Sequence, residues 1–255
     1  MRSIVLLAAL ISAKTAFAGP GLTLPARRVN ATLTVETDAS KGSFGDVVSL
    51  APDVAVGVTD DLTVMLVHST FGRTGFRGVA GSGICITDAC KNTYDNVGAE
   101  VLYALANGPV AVAADVGIHA TSFERDFYIA KVGAKLRYIT GRITFASLPS
   151  VFIALGHRDD MVPNRDRLWL PVSGMYKVAG GLSLGLSTGF KTSFQEAGDN
   201  YEIAAGALAQ YTVSPMLTLG ASWVHGKIAG GSVAVPDGTN GYDSRAVHVW
   251  ASANY

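Results

Sequence analysis

The feature that most constrains this chain is an alternation of apolar with polar or small side chains, which recurs from about residue 28 to residue 255. A period of two is typical of β-strands, because successive side chains of a strand point to opposite faces. Helical periodicity is scarce, and no run of eighteen apolar residues follows the first twenty residues. We therefore expect an all-β chain rather than a helical membrane protein.

Turn sequences divide the alternating region into twelve predicted strands. They are predicted at 28–36, 47–58, 62–71, 97–106, 110–120, 127–139, 143–155, 167–178, 182–192, 201–213, 217–225 and 245–255. Tight turns rich in Gly, Pro and Asp follow the even-numbered strands, and longer polar segments follow the odd-numbered ones. This asymmetry favours a single up-and-down antiparallel barrel of about twelve strands, with ten or fourteen as the alternatives.

Two predicted strands carry tyrosines ten residues apart, namely Tyr128 with Tyr138 and Tyr201 with Tyr211. Each pair shares one face of its strand. Ten residues at about 3.4 Å each, tilted by about 45°, project to roughly 24 Å, which matches the roughly 25 Å apolar band of a membrane-spanning barrel. We therefore predict that these tyrosines form aromatic girdles at the two membrane–water interfaces.

The composition also indicates a surface that does not face water everywhere. The chain is 49% hydrophobic and only 16% charged, whereas about 25% charge is usual for soluble proteins. A soluble β-sandwich is the alternative reading of the alternation, but it leaves this deficit of charge unexplained.

The first eighteen residues have the three parts of an export signal. Arg2 supplies positive charge, an apolar run of about ten residues follows, and Ala16–Ala18 is a small-x-small cleavage site. We predict a cleaved signal peptide at 1–18 and one barrel domain at 19–255, with a retained N-terminal anchor as the alternative. Removing Arg2 and Lys14 leaves 18 basic and 20 acidic residues, so nucleic acid is not an expected partner.

Two cysteines, Cys85 and Cys90, lie in a Gly-rich polar stretch. An exported protein meets an oxidising compartment, so a disulfide is predicted, and closing so short a loop would contribute roughly 2 kcal/mol. Zinc is not expected because no histidine accompanies the pair. No cofactor is predicted either, since the Gly-rich stretches lack the lysine of a phosphate-binding loop.

The last strand, AVHVWASANY, carries apolar residues at alternate positions and an aromatic final residue. It resembles the terminal signal of bacterial outer-membrane β-barrels, and the stretch LAPDVAVGVTDDLTV is similar to strand–turn–strand pieces of outer-membrane transport barrels. The resemblance implies a Gram-negative outer membrane, contact with its lipid, and insertion by the barrel-assembly machinery. A final phenylalanine is commoner than tyrosine in that family. The residues that would carry the signal are Val247, Val249, Ala251, Ala253 and Tyr255.

The alternation assigns a set of charged side chains to the barrel lumen. They are Asp53, Glu100, Asp115, Lys131, Lys135, Arg137, Lys177, Lys191 and Glu202. One hypothesis is a narrow pore for small solutes with a partly basic wall that mildly favours anions. The alternative is a closed structural barrel whose lumen is bridged by ion pairs between these groups.

Two further functions are considered. A hydrolase of the lipase or protease type would need a serine, histidine and acidic group near the outer rim, where the candidates are His68, Ser69, His157, Asp159 and Asp160. Adjacent residues of a strand point apart, so His68 and Ser69 are not expected to pair. Surface recognition is the other function, with its candidate residues in the external loops: Arg73, Phe76, Arg77, Ile228, Val233 and Val235.

Overall fold

The computed structural model describes residues 21–76, 80–89, 92–94, 96–160, 164–195, 198–232 and 244–255. The predicted signal peptide lies outside these residues. Within them the chain forms one short helix, α1 (Thr70–Thr74), and the following strands: β1 (Val29–Asp38), β2 (Val48–Thr59), β3 (Leu62–Val67), β4 (Ile84–Cys85), β5 (Val97–Ala106), β6 (Val110–Ser122), β7 (Phe127–Thr140), β8 (Ile143–Ser147), β9 (Ser150–Ala154), β10 (Arg167–Ala179), β11 (Leu182–Ser193), β12 (Tyr201–Ser214), β13 (Leu217–Gly230) and β14 (Arg245–Asn254).

The strands form one closed antiparallel sheet. Sequential neighbours pair around the sheet, and β1 pairs with both β2 and β14. The strands β8 and β9 share one place between β7 and β10, while β4 adds only two residues to the edge of β2. The prediction of a twelve-strand up-and-down barrel is therefore confirmed.

The seventh predicted strand, 143–155, is interrupted at Leu148 and Pro149. Proline has no backbone N–H to give to a sheet, so a regular ladder does not continue through it. The carbonyl oxygen of Pro149 still accepts a hydrogen bond from Ala134 N at 3.0 Å. The wall therefore stays paired with β7 on both sides of the break.

The two ends of the barrel differ as the sequence predicts. Two- or three-residue turns join β2 to β3, β5 to β6, β7 to β8, β10 to β11 and β12 to β13 at one end. The first and last described strands also meet at this short-turn end, where Val29 N donates to Tyr255 O at 3.1 Å. At the long-loop end, the β6–β7 connection has only four residues and is shorter than the other connections there.

The outer face of the sheet is apolar along its length. Large apolar side chains alternate outward on successive strands, as in Val64, Leu66, Val132, Leu184 and Leu186. No helix in the described ranges is long and apolar enough to span a membrane.

The third strand ends earlier than the sequence pattern predicts. Strand β3 stops at Val67, and the chain then turns into the barrel and forms α1 instead of continuing to residue 71. Ser69 caps the helix by accepting a hydrogen bond from Gly72 N at 2.9 Å. A serine followed by helix-compatible residues favours such a start, but alternation alone gives no sign of where a strand leaves its sheet.

Candidate functional site

A cavity of about 530 Å³ lies inside the barrel and is the candidate functional site. Small and hydroxylated side chains from seven strands leave this space free, as the alternation predicts. Two bases on β7, Lys135 and Arg137, and one acid on β2, Asp53, reach its surface. The neutral polar lining includes Asn30, Thr32, Thr34, Ser147, Ser173, Ser187, Gln210, Thr218, Ser222 and Ser252.

The ceiling of the cavity is the inward segment, which we define as residues 68–76 and 80–83. Asp53 anchors its first part: Oδ1 accepts from His68 N at 2.7 Å and from Ser69 N at 2.9 Å, and Oδ2 accepts from the Ser69 hydroxyl. The sequence predicts that the Asp53 side chain lines the lumen, where its charge would face a passing solute. Its carboxylate instead fixes the backbone at the start of α1.

A second buried carboxylate, Glu36 on β1, anchors the returning part of the inward segment. Its Oε2 accepts from Ser82 N at 2.9 Å and from the Ser49 hydroxyl at 3.3 Å, and the same hydroxyl accepts from Gly81 N at 3.1 Å. Sequence analysis missed Glu36. The signal that could have found it is its place in the alternation, where it follows Thr34 on the inward face.

Phe76 closes the cavity toward the long-loop end. Its side chain is only 3% exposed and packs with Ile129, Phe152, Trp169 and neighbouring inward residues in an apolar cluster inside the barrel. The interpretation of Phe76 as a surface-recognition residue is therefore wrong. Arg73 is also buried, because α1 lies within the barrel rather than above it.

The remaining recognition candidates lie in different parts of the chain. Ile228 is half-exposed on β13. Arg77, Val233 and Val235 lie outside the described residues, so no position is assigned to them.

The floor of the cavity is formed by the mouth segment, residues 21–26, which crosses the short-turn end. Thr23 Oγ1 donates to Asp60 O at 2.9 Å, and Leu24 N donates to Thr63 Oγ1 at 2.8 Å. Arg137 Nη1 donates to Gly21 O at 3.3 Å. The cavity is therefore covered at both ends by segments that are not part of the barrel wall.

The charged side chains of the wall form two clusters of ion pairs. In the first, Lys131 Nζ lies 2.8 Å from Glu100 Oε1 and 2.7 Å from Asp115 Oδ2, and His119 Nε2 lies 2.9 Å from Glu100 Oε1. All of these side chains are almost fully buried. They join β5, β6 and β7, so these ion pairs run along the wall.

The second cluster joins β11 to β12. Lys191 Nζ lies 2.6 Å from Glu202 Oε2, and the same ammonium group lies 5.1 Å from the centre of the Trp169 ring. Lys191 and Glu202 are directly opposite each other in the register of the two strands. The expectation that ion pairs would bridge the lumen is therefore wrong for both clusters. Lys191 and Glu202 pair across one register position, and Lys131 reaches Glu100 over Gly117 of the strand between them.

Several solved structures have a fold similar to this barrel. The fold is similar to that of the NanC porin, with a TM-score of 0.60 at 12% sequence identity, covering 88% of this chain and 98% of the NanC chain. Two further similar structures are OmpF of Salmonella typhi in complex with daunomycin (TM-score 0.48, 8% identity, 89% of this chain and 96% of that chain) and the outer membrane channel DcaP of Acinetobacter baumannii (TM-score 0.39, 16% identity, 94% and 78%). No protein-family model and no curated protein matches the sequence.

This chain has the fold of a bacterial outer-membrane β-barrel. Its four predicted girdle tyrosines all lie on outward positions of the barrel. Tyr128, Tyr138 and Tyr211 are 40–47% exposed, while Tyr201 is half-buried and stacks on Phe190 at 6.1 Å between ring centres.

More outward aromatic residues lie near the short turns of the barrel than the tyrosine spacing alone predicts. A pair of tyrosines ten residues apart marks only strands that carry an aromatic residue at both ends. Outward aromatic residues that have no such partner on their own strand were not predicted. With Tyr138 and Tyr211, the ring of exposed aromatic side chains at the short-turn end includes Tyr103, Phe145, Tyr176 and Tyr255.

Lys177 occupies a different place from the other predicted lumen residues. It is exposed near the β10–β11 turn, at the short-turn mouth of the barrel. Only Asp53, Lys135 and Arg137 of the nine predicted lumen residues line the described cavity.

The hydrolase candidates do not form a catalytic arrangement with one another. His68 Nε2 lies 3.0 Å from the Tyr94 hydroxyl, and Ser69 Oγ is used by Asp53 and by the start of α1. His157 Nδ1 lies 2.9 Å from Asp160 Oδ2 in the external β9–β10 connection. Among the described residues, no group of three or more His, Cys, Asp or Glu side chains is placed to hold a metal ion.

Cys85 is buried on β4, where its Sγ lies 3.4 Å from Val48 O. Cys90 lies outside the described residues. The predicted disulfide between the two therefore stays a prediction.

Proposed function

We propose that this protein is an outer-membrane channel for small solutes, with a partly basic lumen that mildly favours anions. The observation that carries the proposal is the cavity inside the barrel, whose charged lining comes mainly from one wall. A closed barrel satisfies every backbone group of its wall, which a bilayer requires, and the likeness to the NanC porin fold supports the same reading.

The charge of the cavity favours anions because Lys135 is better placed to meet a solute than Asp53 is. Lys135 makes no hydrogen bond or ion pair with any described residue, whereas Asp53 accepts three hydrogen bonds from the inward segment. An ammonium group facing a narrow, poorly screened passage attracts anions and repels cations.

A closed structural barrel is the second candidate function. The observation in its favour is the packing of Phe76 inside the barrel, which fills the lumen above the cavity. In this alternative the inward segment is a permanent plug and no current flows.

Conductance of purified, folded protein in planar bilayers tests both candidates. We expect discrete current steps with a modest preference for chloride over potassium in a salt gradient. Correctly folded protein, identified by heat-modifiable gel migration, that gives no current steps would contradict the channel and favour the closed barrel.

Charge reversal at the cavity sharpens this test. The double variant Lys135→Glu and Arg137→Glu should shift the reversal potential toward cation preference, since the basic wall becomes acidic. Lys41→Glu is the matched control because Lys41 lies exposed in the β1–β2 connection, away from the cavity. If Lys41→Glu shifts the reversal potential as far as the double variant does, Lys135 and Arg137 do not set the ion preference.

We also propose that the protein lies in the outer membrane and is inserted by the barrel-assembly machinery. Val247, Val249, Ala251 and Ala253 alternate outward along β14, and Tyr255 follows with 63% exposure. This arrangement supports the role of the last strand as an assembly signal, and it supports contact between its outer face and lipid.

A further inference from the structure

We infer that the cavity binds a small organic monoanion with an apolar body, such as an aromatic carboxylate. The inference deepens the proposed function, because it names the class of solute that the channel would hold. It rests on the charge of one wall, the chemistry of the opposite wall, and the side chains between them.

The wall formed by β5, β6 and β7 carries one excess positive charge when its carboxylates are ionised. Its three bases are Lys131, Lys135 and Arg137, and its two acids are Glu100 and Asp115. Both acids are already within 2.8 Å of Lys131. One further carboxylate beside Lys135 would balance this wall, whereas a dianion would overcompensate it.

The opposite wall offers no charge to a solute. Strand β14 is six places from β7 around the twelve-strand barrel, so the two face each other across the cavity. The neutral polar groups there bond to one another: Asn30 Nδ2 donates to Ser252 Oγ at 2.8 Å, and Thr32 Oγ1 donates to the same oxygen at 2.9 Å. Since these groups are already hydrogen-bonded, they favour a solute that needs few hydrogen bonds of its own.

Apolar side chains from the neutral wall and from the strands between the two walls line the cavity. Trp250 contributes an indole ring, which lies against the backbone of Gly220, where an added Cβ would be 2.0 Å from a ring atom. Met65, Met175 and Leu208 also line the cavity. A flat apolar body could pack on the indole ring and the flexible thioethers.

The size of the cavity suits a solute of this kind. About 530 Å³ falls within the range of roughly 300–1,000 Å³ usual for small-molecule sites. Phe71 and Phe76 border it at one end and Leu22 at the other. The site is therefore bounded at both ends, as a binding site within a channel should be.

Binding to the purified barrel in detergent tests the inference with four defined probes. Titration calorimetry should show saturable binding of benzoate. Benzyl alcohol lacks the charge, acetate lacks the apolar body, and gluconate replaces that body with hydroxyl groups. We expect each of these three to bind at least about tenfold more weakly than benzoate. Equal or tighter binding of any of the three would overturn the inference.

Variants then locate the site. Lys135→Gln with Arg137→Gln should weaken benzoate binding by about tenfold or more, because a charge-assisted hydrogen bond is lost. Trp250→Leu should weaken benzoate while leaving acetate unchanged, and Lys41→Gln should change neither. Variants must first show native heat-modifiable migration, and Lys135→Arg, which keeps the charge, should retain most of the affinity.

This experiment separates the two proposals. Binding in detergent needs no conduction, so benzoate binding without current would contradict only the channel. Current without benzoate binding, or binding that the cavity variants leave unchanged, would contradict only the solute class.

Discussion

Buried charged residues are the main feature of this protein at the residue scale. Lys131 is 1% exposed and balances two carboxylates at once. Alternation places each of these side chains inside the barrel, but the register between β5, β6 and β7 decides which of them meet. The sequence therefore predicts a charged lumen, while pairing is a property of the folded sheet.

Replacing Lys131 by methionine should destabilise the barrel more than most single substitutions. The change leaves Glu100 and Asp115 close together without their shared ammonium group, and breaking such a buried pair costs about 3–5 kcal/mol. Urea unfolding of the barrel in detergent or vesicles measures the free energy of unfolding. Lys41→Met, at an exposed position, is the control and should stay within about 0.5 kcal/mol of the parent.

A second prediction concerns pH and the external β9–β10 connection. Arg158 makes a two-point bond with Asp166, Nη1 to Oδ2 and Nη2 to Oδ1, both at 2.8 Å. Hydrogen bonding from Arg158 lowers the pKa of Asp166 below its ordinary value. The pair therefore contributes its full stabilisation at any pH above the ordinary pKa of aspartate. This stabilisation is lost as the pH falls through the lowered pKa that Asp166 has in the folded protein.

Hydrogen exchange checks this prediction. Ala154 N donates to Asp166 Oδ1 at 2.8 Å, so its protection should fall once Asp166 is protonated. In the Asp166→Asn variant, the Ala154 amide should be less protected from hydrogen exchange than in the parent protein at every pH. Its protection should also not change with pH in the acid range. A wild-type profile that stays flat down to the acid limit would contradict the role of this pair.

Two segments that leave the barrel wall decide the shape of the lumen at the scale of elements. The inward segment is fixed by Asp53 and Glu36, and the mouth segment is fixed by Asp60 and Thr63. The strands themselves were predictable from alternation and turn residues. The end of β3 was not, because the segment after it is held by Asp53 and Glu36 on other strands. The break at Pro149 has a local cause in the missing N–H of proline, but the alternation alone does not show it.

Gly57→Ala should displace the mouth segment and increase conductance. A Cβ at this position would lie 2.0 Å from Pro25 O and 2.7 Å from Leu24 O, so the segment must move away from β2. Single-channel recording measures the effect as a larger or longer-lived open level. Gly156→Ala is the matched control, since a Cβ there meets nothing within 4 Å, and an identical increase in both variants would contradict the explanation.

The whole molecule is a closed sheet whose outer face is apolar and whose interior holds the buried polar and charged side chains together with one apolar cluster. This distribution is the reverse of that in a soluble protein of this size, and it explains the deficit of charged residues in the sequence. The likeness to the NanC porin concerns this architecture.

Arginine on the outer face should destabilise the barrel in a depth-dependent way when lipid covers that face. Leu186 is 71% exposed in the middle of β11, so Leu186→Arg should cost about 2–4 kcal/mol in vesicles. Val213→Arg, close to the short turn beyond Tyr211, should cost at most about 1 kcal/mol. Equal costs at the two positions, measured by reversible unfolding in vesicles, would contradict a membrane-embedded outer face.

The sequence by itself determined the strand class, the approximate number of strands, the face on which most strand side chains lie, and the difference between the two ends. These properties follow from local chemistry, since a period of two and the turn residues act within a few positions of each other. Only the tertiary structure decided which charges pair, that residues 68–76 enter the barrel, and that residues 21–26 cross its mouth. Such contacts join residues far apart in the chain, and their energies depend on a register and a closure that exist only when the whole sheet has formed.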